Sequence, residues 1–208
     1  MNTNLYHYTM WYTFMMINAI QSTIHCFVTD HSWLTRIYVT VNGFRSLFPV
    51  KVTERQCLIA FSSPLIDRTI STVSEICFAK QLSDSLYRPT WILLYAWAAE
   101  ICCWFAVITK NNLFHVYEEY LWFLIGYTYY WYTPIPTARY VAALYCAYML
   151  CVDIPMYAHR YLTQDPVSLI EGIKDMGSCY PLDEMDYTWR TGYFVGATRL
   201  SMYLDSMY

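Results

Sequence analysis

His115 stands three and four residues ahead of Glu118 and Glu119, a spacing that places an imidazole and two carboxylates on one side of a helix. Two adjacent carboxylates repel when both are ionised, so a proton, a cation or an arginine must stand beside them. An imidazole that titrates near neutrality and carboxyls whose pKa rises on burial are the parts of acid–base chemistry. The same groups are ligands for a divalent metal. Further acids stand in apolar surroundings at Glu75, Glu100 and Asp153. The candidate site is therefore Glu75, Glu100, His115, Glu118, Glu119 and Asp153. The competing account is that these acids pair with Arg45, Arg55, Arg68, Arg139 or Arg190 and hold helices in register.

What is missing narrows the chemistry. Helix-bundle di-metal sites use Glu-x-x-His from two helices, whereas this chain offers one His-x-x-Glu-Glu and five histidines in all. No metal is assigned on that basis, and His115, Glu119 and Glu100 are the ligands one would use. The sequence contains no GxSxG, HExxH, P-loop or GxGxxG, so no motif names a cofactor or a reaction. Ser62 and Ser63 precede Pro64 as a helix start, with Ser63 as N-cap. The eight cysteines form no CxxC pair, and buried free thiols are expected. A net charge of −3 without a basic run excludes a nucleic-acid partner.

The elements that must position these groups are apolar. Of 208 residues, 57% are hydrophobic and 14% charged, against about 25% charged in ordinary soluble domains. A chain of this length makes one domain whose apolar excess lipid must cover. About 20 helical residues cross a bilayer, and five segments qualify: 6–28, 64–86, 90–109, 113–133 and 138–158. A sixth, 187–204, is weaker because it carries Arg190 and Arg199. The fold expected is an all-α polytopic bundle of five to six spans. The uncharged N-terminal segment reads as a retained span, since a cleaved signal would begin with basic residues.

Residues 30–63 mix Arg36, Arg45, Lys51, Glu54 and Arg55 with apolar residues, which suits an interfacial amphipathic helix or a re-entrant segment. Lys110-Asn111-Asn112 makes a tight turn, and residues 159–186 are polar and turn-rich. Counting Lys and Arg in the connections sets the N-terminus on the non-cytoplasmic side.

Alternating span directions then bring His25, Asp67, Arg68, His115, Glu118, Glu119, Asp153 and His159 to the cytoplasmic half, with Glu75 and Glu100 about midway. Asp67, Ser71, Ser74 and Glu75 form one helical stripe that should face protein. The runs Asn111-Asn112-Leu113-Phe114-His115 to Trp122 and Val152-Asp153-Ile154-Pro155-Met156-Tyr157 resemble stretches of multi-pass membrane proteins, a resemblance that implies a helical membrane fold and no particular activity. The function expected is a membrane-embedded enzyme with a carboxylate–histidine pocket for a lipid or other amphipathic substrate. A small proton- or ion-coupled transporter and a structural subunit stabilised by buried ion pairs are the alternatives. Partners expected are the bilayer and either a second copy of the chain or a larger membrane complex.

Overall fold

Helix α4, Thr90–Thr109, shows how this chain distributes its side chains. Ala96, Ala99, Glu100, Cys103 and Ala106 are buried, while Trp91, Leu94, Trp97, Ile101 and Phe105 are exposed. Small and polar groups face the neighbouring helix and large apolar groups face outward, the reverse of a water-soluble helix. In α1, Thr3–Val28, the exposed stripe is Met10, Phe14, Ile17, Ile24 and Phe27, and Asn18, Ala19 and Ser22 are turned in.

A computed structural model describes residues 3–48, 52–53, 56–57, 64–86, 89–175 and 190–206. These are helical apart from turns and one antiparallel ladder of two residues a side, β1 (Val52–Thr53) with β2 (Gln56–Cys57). The remaining helices are α2 (Trp33–Leu47), α3 (Pro64–Ser85), α5 (Asn112–Tyr132), α6 (Pro136–Thr163), α7 (Leu169–Asp175) and α8 (Thr198–Asp205). The chain is helical ahead of α8 as well, from Arg190 through a widened stretch, Gly192–Ala197. The expected cap at Ser63 and residues 187–189 of the sixth segment lie outside the described residues.

Two helices among the described residues, Thr90–Thr109 and Pro136–Thr163, are long and apolar enough to cross a membrane by length and composition. The other expected spans do not reach that level. Helices α1, α3 and α5 have the length, 26, 22 and 21 residues, but their polar inward faces dilute the mean hydropathy. Only 33% and 22% of the two apolar windows are buried.

The helices gather into two compact units, Met1–Phe78 with Cys179–Tyr208, and Ala79–Ser178. In the first, α2 returns antiparallel along α1 as the second arm of a hairpin. Ser32 caps α2 by accepting from the Thr35 N–H. Gly43 lies so near α1 that an added Cβ would come within 2.9 Å of Thr23 Oγ1, and the Tyr12 hydroxyl donates to the Leu47 carbonyl at 2.7 Å. Cys26, Val39 and Met202 join α1, α2 and α8 in one apolar cluster. Asp205 closes the unit at the hairpin turn, accepting from the Ser32 N–H at 2.6 Å and meeting His31 Nδ1 at 2.9 Å. Burial pushes the Asp205 carboxyl up, but the Ser32 hydrogen bonds and the His31 ring outweigh it and hold it below the usual range.

This hairpin corrects one expectation. His25 and Asp67 do not share a level: Asp67 is bonded to Arg45, and residues 43–47 of α2 lie beside positions 12–23 of α1. The physical reason is that α2 turns its polar residues Asn42, Arg45 and Ser46 into the unit, where they are buried. Its amphipathic pattern marks a protein-facing surface, not a wet one.

In the second unit, α4 and α5 are joined by the turn expected. Lys110 takes φ 54°, and the Asn111 side chain caps α5 by accepting from the Leu113 N–H. Pro136 starts α6 at a position where the missing N–H costs nothing. Further on, Pro155 lacks a donor and its ring crowds the preceding turn, so the helix widens over Met149–Asp153 instead of breaking. Helix α7 docks where Gly172 meets α4: an added Cβ would overlap the Ile108 carbonyl.

At Gly126 an added Cβ would stand 2.5 Å from Tyr145 Cδ1 and 3.2 Å from Cys146 Sγ, whereas at Gly196 it meets nothing. Gly126→Ala is therefore expected to destabilise the purified chain by about 1 to 3 kcal/mol, and Gly196→Ala by less than about 0.5 kcal/mol. Thermal unfolding in detergent followed by circular dichroism checks the pair.

Candidate functional site

The ionisable residues form two clusters of different character, one in each unit. In the first unit the stripe Asp67, Ser71, Ser74 and Glu75 is turned toward α2, as its spacing requires. Arg45, 4% exposed, forks onto Asp67 with Nε to Oδ1 at 2.9 Å and Nη2 to Oδ2 at 3.2 Å. Its Nη1 reaches Glu75 Oε1 at 3.5 Å, and Arg68 Nη2 donates to Glu75 Oε2 at 2.9 Å. The Tyr193 hydroxyl adds a third donor to Glu75 at 3.0 Å, and the Tyr193 and Phe194 rings face the Arg45 guanidinium at 5.6 and 5.1 Å. Two arginines answer two carboxylates with bidentate and ring contacts, which is how a buried pair offsets its desolvation. Glu75 thus belongs to a network of acids paired with arginines.

The second unit brings several of them together. His115 Nδ1 lies 2.7 Å from Glu118 Oε2, the i, i+3 contact that the spacing allows. Cys103, on the buried face of α4, approaches the same nitrogen with its sulfur at 3.9 Å. The His115 ring stacks on Tyr157 of α6 at 4.4 Å between centroids, and the Arg160 guanidinium covers the Tyr157 ring at 5.6 Å. Asp153 sits at the end of the widened turn, 9% exposed. Its carboxyl hydrogen-bonds with the Tyr148 hydroxyl and lies in the electrostatic field of Glu118. Glu119, less buried, faces the Tyr148 and Tyr157 hydroxyls electrostatically. Glu100, 1% exposed, lies one turn before Cys103 on the same inward face.

Among the described residues one group has metal-ligand geometry: the donor atoms of Cys103, His115 and Glu118 all lie within 4.8 Å of one another. The sequence assigns no metal and offers His115, Glu119 and Glu100 as the candidate ligands. His115 is common to both sets. The thiol was missed because a lone cysteine in an apolar run usually only packs. A signal was present, since Cys103 follows Glu100 by one turn and must share the side of α4 that a buried acid requires.

Compared with protein-family models, curated proteins and solved structures, the chain matches none.

The two arrangements differ in what charge removal should do. Arg45→Met removes the bidentate partner of part-buried Asp67 and one of the donors to buried Glu75, and is expected to cost roughly 3 to 5 kcal/mol. Lys80→Met breaks the Lys80–Asp84 pair, whose side chains are 42% and 37% exposed, and should cost less than about 1 kcal/mol. Denaturant unfolding of the two variants in the same detergent measures the difference.

Proposed function

We propose that this chain is a multi-pass integral membrane protein whose pocket around His115 does acid–base chemistry on a lipid or another amphipathic molecule. The observation that carries the reading is the inverted distribution of side chains, with His115, Glu118, Asp153 and Glu100 inside helices sheathed by Leu94, Trp97, Ile101, Tyr117, Tyr120 and Leu144. Water would penalise such an exterior, and hydrocarbon does not. The low burial of the two most apolar helices points the same way, because a core helix of a soluble protein would be mostly covered.

The hairpin of α1 and α2 supports a particular count of crossings. Asp205 returns to the turn at His31 and Ser32. With α2 as a short crossing, six passes separate His31 from Asp205, an even number that ends on the starting side. Left at the surface, α2 would reduce that number to five and put the two residues on opposite sides. At 15 residues α2 rises about 22 Å, a shortfall that local thinning of the bilayer accommodates.

The pocket holds what proton transfer needs: an imidazole positioned by Glu118 and by the Tyr157 ring, and a second buried carboxyl, Asp153, tied to a tyrosine hydroxyl. Large aromatic and aliphatic residues around it suit a substrate that enters from lipid. The ion-pair network around Arg45 has a different part, fixing α2 and α3 against the terminal helical stretch.

The test is lipid turnover in vesicles made from a mixed lipid extract and the purified chain, followed by mass spectrometry. Wild-type protein is expected to deplete one lipid class, and His115→Ala and Asp153→Asn to slow this by about 100-fold or more while keeping their helical circular dichroism. Identical lipid profiles for wild type and His115→Ala would overturn the enzyme reading.

A further inference from the structure

The way the thiol and the carboxylate meet His115 decides between two kinds of chemistry. In a nucleophile–base–acid relay the nucleophile and the orienting acid use opposite ring nitrogens of the histidine. Here Cys103 Sγ and Glu118 Oε2 both approach Nδ1, at 3.9 and 2.7 Å. Two acidic groups converging with one nitrogen on a common point is the arrangement that a shared cation requires.

The three donor atoms lie within 4.8 Å of one another, and two of their separations can be set against those of a bound ion. Tetrahedral zinc with sulfur at about 2.3 Å and nitrogen or oxygen at about 2.0 to 2.1 Å sets S···N near about 3.6 Å and N···O near about 3.4 Å. The Cys103–His115 distance is within a few tenths of an ångström of this, and the His115–Glu118 contact must open by about 0.7 Å when an ion replaces the proton between them. The Cys103–Glu118 separation, within 4.8 Å, must settle near about 3.6 Å in the same geometry. The supports are fixed: α4 and α5 are joined by the capped turn at Asn111, and the imidazole is held against Tyr157, which is 9% exposed. Ligands locked in this way reproduce their geometry when the ion arrives.

A second observation points to a cation independently. Asp153 is 9% exposed, and its Oδ1 has no hydrogen-bond partner among the described residues. The same carboxyl lies in the field of Glu118, so two buried acids face one another electrostatically beside a thiol. The widened turn Met149–Asp153 brings Asp153 inward at this level, and such turns recur at functional sites.

We propose that Cys103, His115 and Glu118 bind one zinc-class divalent cation, with the open position left to water on the side of Asp153. A thiolate, an imidazole and a carboxylate form a mixed set that favours zinc over magnesium or calcium, and three protein ligands leave the vacancy typical of catalytic rather than structural sites. The inference deepens the reading of the same pocket and rests on it only for the chemistry such an ion would perform; binding stands or falls by itself.

The test uses the full chain in detergent, stripped with a chelator and titrated with cobalt(II). Wild type is expected to take up one equivalent with a thiolate-to-cobalt charge-transfer absorption in the near ultraviolet, and zinc should displace it. Cys103→Ser should lose the absorption while keeping its helicity and size-exclusion profile. His115→Ala and Glu118→Gln should weaken cobalt binding by more than about tenfold. Should Cys103→Ser fail to fold, wild-type protein alone gives the answer: zinc, but not magnesium, slows alkylation of Cys103 read by peptide mass spectrometry. Absence of the charge-transfer band, its persistence in folded Cys103→Ser, or an alkylation rate indifferent to zinc overturns the site. Cobalt binding without lipid turnover would support the site and overturn the enzyme reading, and turnover without cobalt binding would do the reverse.

Discussion

On the proposed reading, hydrocarbon around large apolar side chains leaves the inward polar groups of the spanning helices only one another for partners. Helices α1 and α4 answer that constraint in the same manner, by collecting small and polar residues on one face and turning them in. Where the inward residues are small, backbones approach closely, as Gly43 does beside Ala19 and Thr23 and Gly126 beside Tyr145 and Cys146. Where they are charged, they are fitted with geometrically matched partners, as Arg45 is with Asp67. Hydroxyls that have no side-chain partner return to the carbonyl of their own helix, as Thr13 and Thr109 do.

The two units use this rule to different ends. Around Arg45 both carboxylates are met by guanidinium groups, and the rings of Tyr193 and Phe194 cover the Arg45 guanidinium. Around His115 a thiol and Glu118 converge on one ring nitrogen, and Asp153 Oδ1 has no hydrogen-bond partner among the described residues. Titratable groups gathered and buried in this way are where reactive or ion-binding sites are found. The widened turn ahead of Pro155 ties covalent chemistry to this cluster. A residue that cannot donate a hydrogen bond opens the helix, and the opened turn ends on Asp153, which lies in the field of Glu118.

Much of this was legible before any coordinates. The all-α class, the bounds of α4 and α5 and the tight turn at Lys110 follow from the length of the apolar runs and from the Asn-Asn cap signal. The His115–Glu118 contact follows from spacing alone. The direction of α2 was not legible, because an amphipathic pattern shows that a helix has two faces without showing whether the polar one meets water or protein. That ambiguity also placed His25 level with Asp67, and the antiparallel return of α2 removes the coincidence. Cys103 escaped notice for a related reason: periodicity identifies a face, but which neighbouring helix that face meets is a long-range fact, and only the packing of α4 on α5 brings the thiol to the imidazole.

The central claim, that hydrocarbon and not water covers the outer faces, is tested most directly by photolabelling the vesicle-reconstituted chain with a lipid carrying a diazirine deep in its acyl chain. Peptide mass spectrometry is expected to find adducts at Phe14, Ile17 and Ile24 of α1 and at Leu94, Ile101 and Phe105 of α4, with the inward positions Asn18, Ser22 and Glu100 unlabelled. Adducts spread evenly over both faces, or none on these helices, would contradict the account.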